Sequence, residues 1–364
     1  MIDQEKIEKL SKTAKELVAP GKGILAADES MNTVGKRFAP INLENNEDNR
    51  RAFRHMLLTA PGESEFISGV ILFDETIRQN DLSGKSFVSV MQEGGIIPGI
   101  KVDQGLADFG DRGEKTTKGL EGLSDRLKEY VSLGARFAKW RSVITISNAT
   151  SPSLPSEGEE LPSDGNILQN AKDLAAYALV CQQEGLVPIV EPEVLLDGNH
   201  SLQQAKDAST KILTALFNEL NNAGVVLEAL LLKTSMVLPG KDFGQKASAE
   251  EIAKNTLEVF NATVPHNLAG IIFLSGGQGD VEATENLNAI NSQGTQPWPL
   301  TFSYARALQD AATKTWAGKP ENMDQAQQVF LHRAKMNSLA TFGKYTKALE
   351  EGFATASGGQ ASQD

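Results

Sequence analysis

The sequence has little cysteine and no long hydrophobic run. A single cysteine, Cys181, excludes internal disulfides and fits a reducing compartment, where we expect a small buried residue on a helix. No stretch approaches the roughly 20 apolar residues needed to span a bilayer. The first residues, MIDQEKIEKL, lack the apolar run of a signal or transit peptide. These absences predict a soluble, cytoplasmic protein with no membrane partner.

Positive charge and histidine are also scarce. With 35 Lys and Arg against 47 Asp and Glu, the formal net charge is -12, which argues against a protein that binds the nucleic-acid backbone. Any anion site must therefore be local. Four histidines are scattered without ligand-like spacing, so no metal or other cofactor is expected: His55, His200, His266 and His332.

Eight short apolar runs, each followed by a longer segment that usually has helical spacing, dominate the 364 residues. They are 21–28, 69–74, 98–103, 135–143, 186–193, 230–235, 270–276 and 300–306. Such alternation indicates parallel strands, in an open doubly wound sheet or a closed barrel. A dinucleotide-binding sheet would show glycines after its first strand, where this chain has DESMN, so we predict a (β/α)8 TIM barrel.

The flanking segments extend this barrel without adding a second core. We predict an N-terminal helix near 5–18 and a C-terminal helix near 323–340. Ser248 and Glu251 form a capping box that predicts the start of another helix. A single barrel domain is therefore expected over 1–352, and 353–364, which includes ATASGGQASQD, is expected to be a flexible tail.

Charged residues interrupt the apolar runs at places where a barrel carries its reactive groups, the carboxyl ends of the strands. They are Asp28, Lys101, Lys139, Arg141, Glu191, Glu193, Lys233 and Arg306. Two pairs in this set are spaced two residues apart, Lys139 with Arg141 and Glu191 with Glu193. Side chains at that spacing share one face of a strand, so each pair can point into the barrel mouth. A structural ion-pair network is one interpretation; the excess of cations favours the other, an anionic substrate.

Two motifs suggest particular chemistry. Lys233 follows three leucines in ALLLKTSM, and burial near other cations would favour the neutral amine that attacks a carbonyl. The alternative is a lysine at a strand end that reaches solvent. In FLSGGQGD the glycines precede a helix predicted near Val281, an arrangement that attracts phosphate. Arg306, which ends the next predicted strand, strengthens this prediction.

Together, GKGILAADES, GIKVDQG, FAKWRSV, VPIVEPEV, LLLKTSM, FLSGGQ and TFSYARAL resemble class I fructose-bisphosphate aldolases, in order from near Ala19 to near Tyr345. The resemblance implies reversible, metal-independent cleavage of fructose 1,6-bisphosphate through a lysine Schiff base in glycolysis and gluconeogenesis. It also implies a homotetramer. The phosphorylated sugar is the only ligand that it implies.

The resemblance also assigns roles to residues. Lys233 would form the Schiff base, Glu191 would transfer protons with Glu193 in support, Asp28 would contact the C4 hydroxyl, and Lys139 would assist carbinolamine chemistry. Residues that resemble the C1-phosphate site are Ser275, Gly276, Gly277, Ser303 and Arg306. Those that resemble groups around the other end of the substrate are Ser30, Arg37, Lys101 and Arg141.

Several positions depart from the family pattern. Thr234 and Ser235 replace the Pro-Asn typical of animal members, and Ala305 replaces a glycine, which would cost about 1 kcal/mol if φ were positive there. Asp74 and Thr33 change the rim of the site. No tyrosine follows Tyr345, so we expect the tail to be dispensable for cleavage.

Two further hypotheses remain open at this point. The enzyme could prefer another sugar phosphate, such as sedoheptulose bisphosphate or the monophosphate. A barrel retained only as a scaffold is less favoured, because all the reactive side chains are present and a scaffold could have lost Lys233 or Glu191.

Overall fold

The fold comes from a computed structural model that describes residues 2–147 and 161–351. Within these ranges ten strands form, eight of them joined in a closed parallel barrel in the order β1-β2-β3-β6-β7-β8-β9-β10, with β10 pairing back to β1. The strands are β1 Gly23–Ala27, β2 Ile67–Leu72, β3 Ile97–Lys101, β4 Leu106–Phe109, β5 Glu114–Thr117, β6 Phe137–Ile144, β7 Val187–Val194, β8 Leu231–Thr234, β9 Gly270–Phe273 and β10 Leu300–Tyr304.

Helices surround this barrel and cover its outer face. They are α1 Gln4–Leu17, α2 Met31–Phe38, α3 Glu47–Leu58, α4 Asp74–Ile77, α5 Phe87–Glu93, α6 Leu123–Ser132, α7 Asp164–Glu184, α8 Leu202–Asn222, α9 Ala249–Thr263, α10 Asp280–Asn291, α11 Arg306–Trp316 and α12 Met323–Ala340. Short 3-10 turns lie at Ala39–Ile41, Glu63–Glu65, Leu227–Ala229 and Pro320–Asn322. In the described parts of the chain, no helix combines the length and apolar composition that a bilayer crossing needs.

The eight predicted barrel strands and both terminal helices are confirmed, with strand ends moved by up to three residues. Their closure excludes the open doubly wound alternative. Cys181 is fully buried in α7, and Ser248 and Glu251 make the predicted capping box of α9. The predicted 353–364 tail lies outside the described residues.

Two apolar cores follow from the alternation of side chains along each strand. One face of every strand points outward and packs against the helices, forming the larger cluster. The other face fills the barrel, with Ile24, Ile71, Phe137 and Ile189 in the smaller cluster. Gly99 leaves room for this filling, because a Cβ there would lie 2.2 Å from the Phe137 ring. The barrel is therefore a packed core and not a pore.

Helix α1 closes the amino-terminal end of the barrel. Leu10, Ala14 and Leu17 belong to the inner cluster, together with residues from the starts of several strands. The Ser68 hydroxyl of β2 donates to the Leu17 carbonyl at 2.6 Å and fixes the end of the helix. With this end sealed, the opening lies at the carboxyl ends of the strands.

Candidate active site

The reactive side chains point into the barrel because each continues the inward face of its strand. On β6, Lys139 and Arg141 follow inward-facing Phe137 at intervals of two residues. On β7, Glu191 and Glu193 follow Ile189 in the same way, and on β8 Lys233 follows Leu231. Asp28 lies one residue beyond β1 and Lys101 ends β3. The predicted convergence at the barrel mouth is confirmed.

Four of these groups form a continuous buried chain. Lys139 Nζ lies 2.7 Å from Asp28 Oδ2 and 3.1 Å from Glu191 Oε2. The other oxygen of Glu191 lies 3.1 Å from Lys233 Nζ. Both lysines and Glu191 are at most 4% exposed. Glu191 thus bridges the two amines, and the solvent-exposed alternative for Lys233 is wrong.

Ion pairing keeps Asp28, Glu191 and Lys139 charged despite their burial. Burial raises the pKa of the Asp28 and Glu191 carboxyls, but Lys139 and Lys233 outweigh it and hold both below their usual range. Burial also lowers the pKa of Lys139, while Asp28 and Glu191 raise it well above its usual value. Lys139 is therefore a permanent cation, and both carboxylates remain ionised near neutral pH.

The cations on neighbouring strands have their own carboxylate partners. Arg141 Nε pairs with Glu193 Oε2, and Lys101 Nζ lies 2.6 Å from Asp103 Oδ1. Burial lowers the pKa of Arg141, whereas Glu193 and Glu191 raise it, so its net shift is upward. The sequence predicts Asp103 only as the end of a strand. Its role as the partner of Lys101 depends on a turn that the sequence does not reveal.

The glycine loop after β9 has the conformation expected of a phosphate cradle. Gly276 and Gly277 have φ of 59° and 101°, which favour glycine, and a Cβ on Gly277 would lie 3.7 Å from Arg306 Nη2. Gln278 holds the loop from beneath: its Nε2 donates to the Ser275 carbonyl at 2.9 Å. Asn286 of α10 in turn donates to Gln278 Oε1 at 2.7 Å. Gln278 lies within the FLSGGQGD motif, but no role was predicted for it.

Two helices, α10 and α11, begin beside this loop, and their N-termini differ. The α10 N-terminus is capped by the Glu282 carboxylate, which accepts from the Gly279 amide at 3.2 Å, and Asp280 also lies in its first turn. Helix α11 begins at Arg306 with no acidic residue in its first turn and no side-chain cap. The α11 N-terminus therefore suits an anion better than that of α10.

Ala305 adopts φ of −104°, so the cost considered for a positive φ at this alanine does not arise. Arg306 itself is the first residue of α11 and not the end of a strand. Ser303 remains in β10 with its hydroxyl buried and without a hydrogen-bond partner among the described residues. These groups lie on the same side of the barrel as the glycine loop.

Ser30 and Arg37 lie on the helix that follows β1. Ser30 caps α2 by accepting from the Thr33 amide at 3.4 Å. Arg37 pairs with Glu29 at 2.8 Å and with Asp310 of α11 at 3.0 Å, while Glu29 also binds Arg54 at 2.7 Å. Glu29 appears in the motif GILAADES without an assigned role. The sequence predicts no role for Asp310, which lies four residues after Arg306.

The predicted site residues surround one cavity of about 800 Å³ at the carboxyl ends of the strands. It is lined by every predicted site residue except Gly277, which lies beside it against Leu196 and Arg306. Among residues 2–147 and 161–351, no group of three or more His, Cys, Asp or Glu side chains could hold a metal ion. The predicted absence of a cofactor stays a prediction.

The sequence of this barrel, with its buried lysine–glutamate pair at the mouth, matches a known protein family. The family model for fructose-bisphosphate aldolase class-I matches residues 9–362. The chain belongs to this family.

Relatives of this aldolase match over nearly its whole length. Cytosolic fructose-bisphosphate aldolase 4 of Arabidopsis thaliana is 53% identical over 90% of this chain and 81% of the relative. The fructose-bisphosphate aldolase of Dictyostelium discoideum is 50% identical over 96% of each chain. A Plasmodium falciparum aldolase, solved with TRAP and a small-molecule inhibitor, superimposes with a TM-score of 0.91 at 47% identity, over 95% of this chain and 97% of the other. The fold and the enzyme class of the aldolase are thereby established.

Proposed function

We propose that this chain cleaves fructose 1,6-bisphosphate reversibly into dihydroxyacetone phosphate and glyceraldehyde 3-phosphate, with Lys233 as the covalent nucleophile. The observation that carries the proposal is the 3.1 Å contact between Lys233 Nζ and Glu191 Oε1 at the floor of the cavity. A carboxylate at this distance can take the proton that an amine must lose before it attacks a carbonyl.

The first half of the reaction forms the Schiff base. Glu191 accepts a proton from Lys233, and the neutral amine attacks the C2 carbonyl to give a carbinolamine. Glu191 then returns that proton to the C2 hydroxyl, which leaves as water, so the iminium carries the positive charge that the ammonium had. Lys139, fixed as a cation 3.1 Å from Glu191, stabilises the carboxylate between these transfers.

The second half breaks the C3–C4 bond. Asp28 accepts a hydrogen bond from the C4 hydroxyl and orients it, because Lys139 and Lys233 keep this carboxylate ionised. Glu191 takes the hydroxyl proton, the C3–C4 electron pair moves to the iminium, and glyceraldehyde 3-phosphate leaves. Glu191 then protonates C3 of the enamine, and hydrolysis releases dihydroxyacetone phosphate and Lys233. Glu193 supports this relay by holding Arg141 beside Glu191.

The two phosphates fit the two cationic sides of the cavity. In the ring of eight strands, β9 lies opposite β3 and β10 lies opposite β6. We assign the C1 phosphate to Ser275, Gly276, Gly277 and Ser303 with Arg306, on the β9–β10 side. Ser30, Arg37, Lys101 and Arg141 are assigned to the other end, with Lys101 and Arg141 on the opposite side. The nucleophile lies between these sides, as a substrate with a phosphate at each end requires.

The setting of the enzyme is proposed from its relatives. Aldolases of Arabidopsis thaliana and Spinacia oleracea are named cytosolic or cytoplasmic, and we propose the same compartment for this chain, with roles in glycolysis and gluconeogenesis. We also propose a homotetramer of single-domain subunits, each a barrel over 1–352. Light scattering on the purified protein measures the subunit number. Nothing in the cavity or in the names of these relatives favours sedoheptulose bisphosphate.

Cleavage assays test the proposal with the full chain. The wild type should cleave fructose 1,6-bisphosphate equally well with and without EDTA, because the iminium and not a metal withdraws the electrons. Lys233→Arg keeps the charge but cannot form an iminium, so its kcat should fall by a factor of about 10⁴ or more. Lys254→Arg, on helix α9, is the matched control and should behave as wild type. Complete loss of wild-type activity in EDTA, or an active Lys233→Arg enzyme, would reject the proposal.

A further inference from the structure

An acidic side chain lies beside two arginines that are assigned to the two ends of the substrate. Asp310 is four residues after Arg306 on α11, so the two lie on the same face of the helix. Its Oδ1 accepts from Arg37 Nη1 of α2 at 3.0 Å. Arg306, at the start of the same helix, is close enough that its charge acts on the Asp310 carboxyl. One carboxylate therefore interacts with both arginines.

Arg37 does not need Asp310 for charge balance. Its Nη2 lies 2.8 Å from Glu29, a carboxylate only 4% exposed that also holds Arg54. The Asp310 side chain is 47% exposed, so its pair with Arg37 is the solvent-facing one of the two. An incoming anion can therefore displace Asp310 from Arg37, while Glu29 keeps Arg37 in place.

The Asp310 side chain is about half buried, and this partial burial makes ionisation of its carboxyl less favourable. Burial raises the pKa of this carboxyl more than Arg37, Arg306 and Lys314 lower it, so the net shift is upward. Helix α11 otherwise presents an N-terminus without an acidic first turn to the cavity. Asp310 is thus a negative charge one helical turn behind the end at which a phosphate would bind.

We propose that Asp310 is a specificity-determining residue that holds Arg37 in the empty site and competes with the two substrate phosphates, with the C1 phosphate for Arg306 and with the other phosphate for Arg37. The inference rests on the proposed function, since it uses the assignment of these two arginines to the two ends of the substrate. Asp310 lowers the affinity for both phosphates and thereby raises KM. Removing its charge leaves each arginine available to its own phosphate.

The test compares Asp310→Asn, which keeps the shape and loses the charge, with Asp207→Asn. Asp207 is an exposed aspartate on α8, so this control makes the same change in net charge away from the cavity. In Asp310→Asn we expect KM for fructose 1,6-bisphosphate and the inhibition constant of inorganic phosphate to fall about threefold to tenfold, while kcat does not rise. Both constants should be unchanged in Asp207→Asn.

Two further measurements show whether the effect of Asp310 is electrostatic and acts on a phosphate. One uses a substrate with a single phosphate, and the other varies the salt concentration. With fructose 1-phosphate, whose only phosphate binds beside Arg306, the gain should be smaller but still present, and it should shrink as ionic strength rises. A gain confined to the bisphosphate, or no change in KM in a variant whose Tm matches wild type, would overturn the inference. Adduct formation of the wild type with dihydroxyacetone phosphate and borohydride separates the two proposals. If the wild type forms no adduct, the proposed function is rejected. If the wild type forms the adduct and Asp310→Asn leaves KM unchanged, only the inference on Asp310 is rejected.

Discussion

Lys139 Nζ lies 2.7 Å from Asp28 Oδ2, although the two residues belong to β6 and the end of β1, strands that are not neighbours in the barrel. The pair therefore crosses the mouth of the barrel. Because Lys139 also contacts Glu191, it connects the carboxylate proposed to orient the C4 hydroxyl with the one proposed to move protons. The charge of one lysine thus organises the whole reaction centre.

Removing this charge should damage both stability and activity. In Lys139→Met, Asp28 and Glu191 lose the cation that they share, so we expect the free energy of unfolding to fall by about 3 kcal/mol and kcat to fall at least about 100-fold. Lys211→Met, at an exposed position of α8, makes the same substitution as a control. Denaturant unfolding and a cleavage assay measure the two effects. A variant as stable as Lys211→Met would show that the carboxylates do not depend on Lys139.

The same variant should show a characteristic pH dependence. Burial raises the pKa of Asp28, but Lys139 and Lys233 bring it below the usual range, so the stabilisation is present above about pH 4 and lost as pH falls through the folded pKa. Without Lys139 the pKa is lowered less. The stability gap between wild type and Lys139→Met should therefore be largest near neutral pH and narrow in acid. A gap that is constant with pH would contradict this explanation.

Glu191→Gln should separate proton transfer from folding. The amide keeps the size of the side chain and a contact to Lys233, but it cannot carry protons, so we expect kcat to fall by a factor of about 10² to 10⁴. Tm should change by only a few degrees. Steady-state kinetics and thermal unfolding give both values. An enzyme that retains more than about a tenth of wild-type kcat would require another proton carrier.

Gln278 offers a test of the phosphate loop. Gln278→Leu removes the side-chain hydrogen bond to the Ser275 carbonyl but keeps the bond from the Gln278 backbone amide. We expect KM for fructose 1,6-bisphosphate to rise about tenfold, as the loss of one buried hydrogen bond of about 1.4 kcal/mol implies. Asn286→Leu should have a smaller effect in the same direction. Because Asn286 acts through Gln278, the double variant should resemble Gln278→Leu alone. Additive effects on KM would show that the two residues act independently.

Glu63 lies far from the reaction, in the turn before β2, and its carboxyl is buried. Burial raises its pKa well above the usual range, so the folded state binds this proton more tightly and stability falls as pH rises above about 4.3. Glu63→Gln should be more stable than wild type at pH 8, by roughly 1 kcal/mol or more, and equally stable near pH 4.5. Glu65→Gln, exposed in the same turn, should show no such trend in thermal unfolding. A Glu63→Gln variant no more stable than wild type at pH 8 would refute this account.

The alternation of side chains explains how much could be predicted from the sequence. Inward residues such as Lys139, Glu191 and Lys233 were identifiable because each interrupts an apolar run at the carboxyl end of a strand. The hairpin of β4 and β5 was missed, since its short and partly exposed segments, LADF and EKTT, have no apolar run.

Partners that lie far apart in the chain were also missed. Asp310 contacts Arg37 across 273 residues, and only the closure of β10 onto β1 brings their helices together. The predicted anion site at the α10 N-terminus stays a prediction. The carboxylates Asp280 and Glu282, which occupy the α10 N-terminus, were visible in the sequence, but which helix end faces the cavity depends on the fold.

The central claim is that Lys233 becomes covalently bonded to the substrate, and the most direct measurement is the mass of the trapped adduct. The full-length enzyme is incubated with dihydroxyacetone phosphate and borohydride in EDTA, digested, and mapped by mass spectrometry. We predict one reduced adduct per subunit, on the peptide that contains Lys233, and none in Lys233→Arg. An adduct on another lysine, or an active enzyme that forms none, would contradict the account.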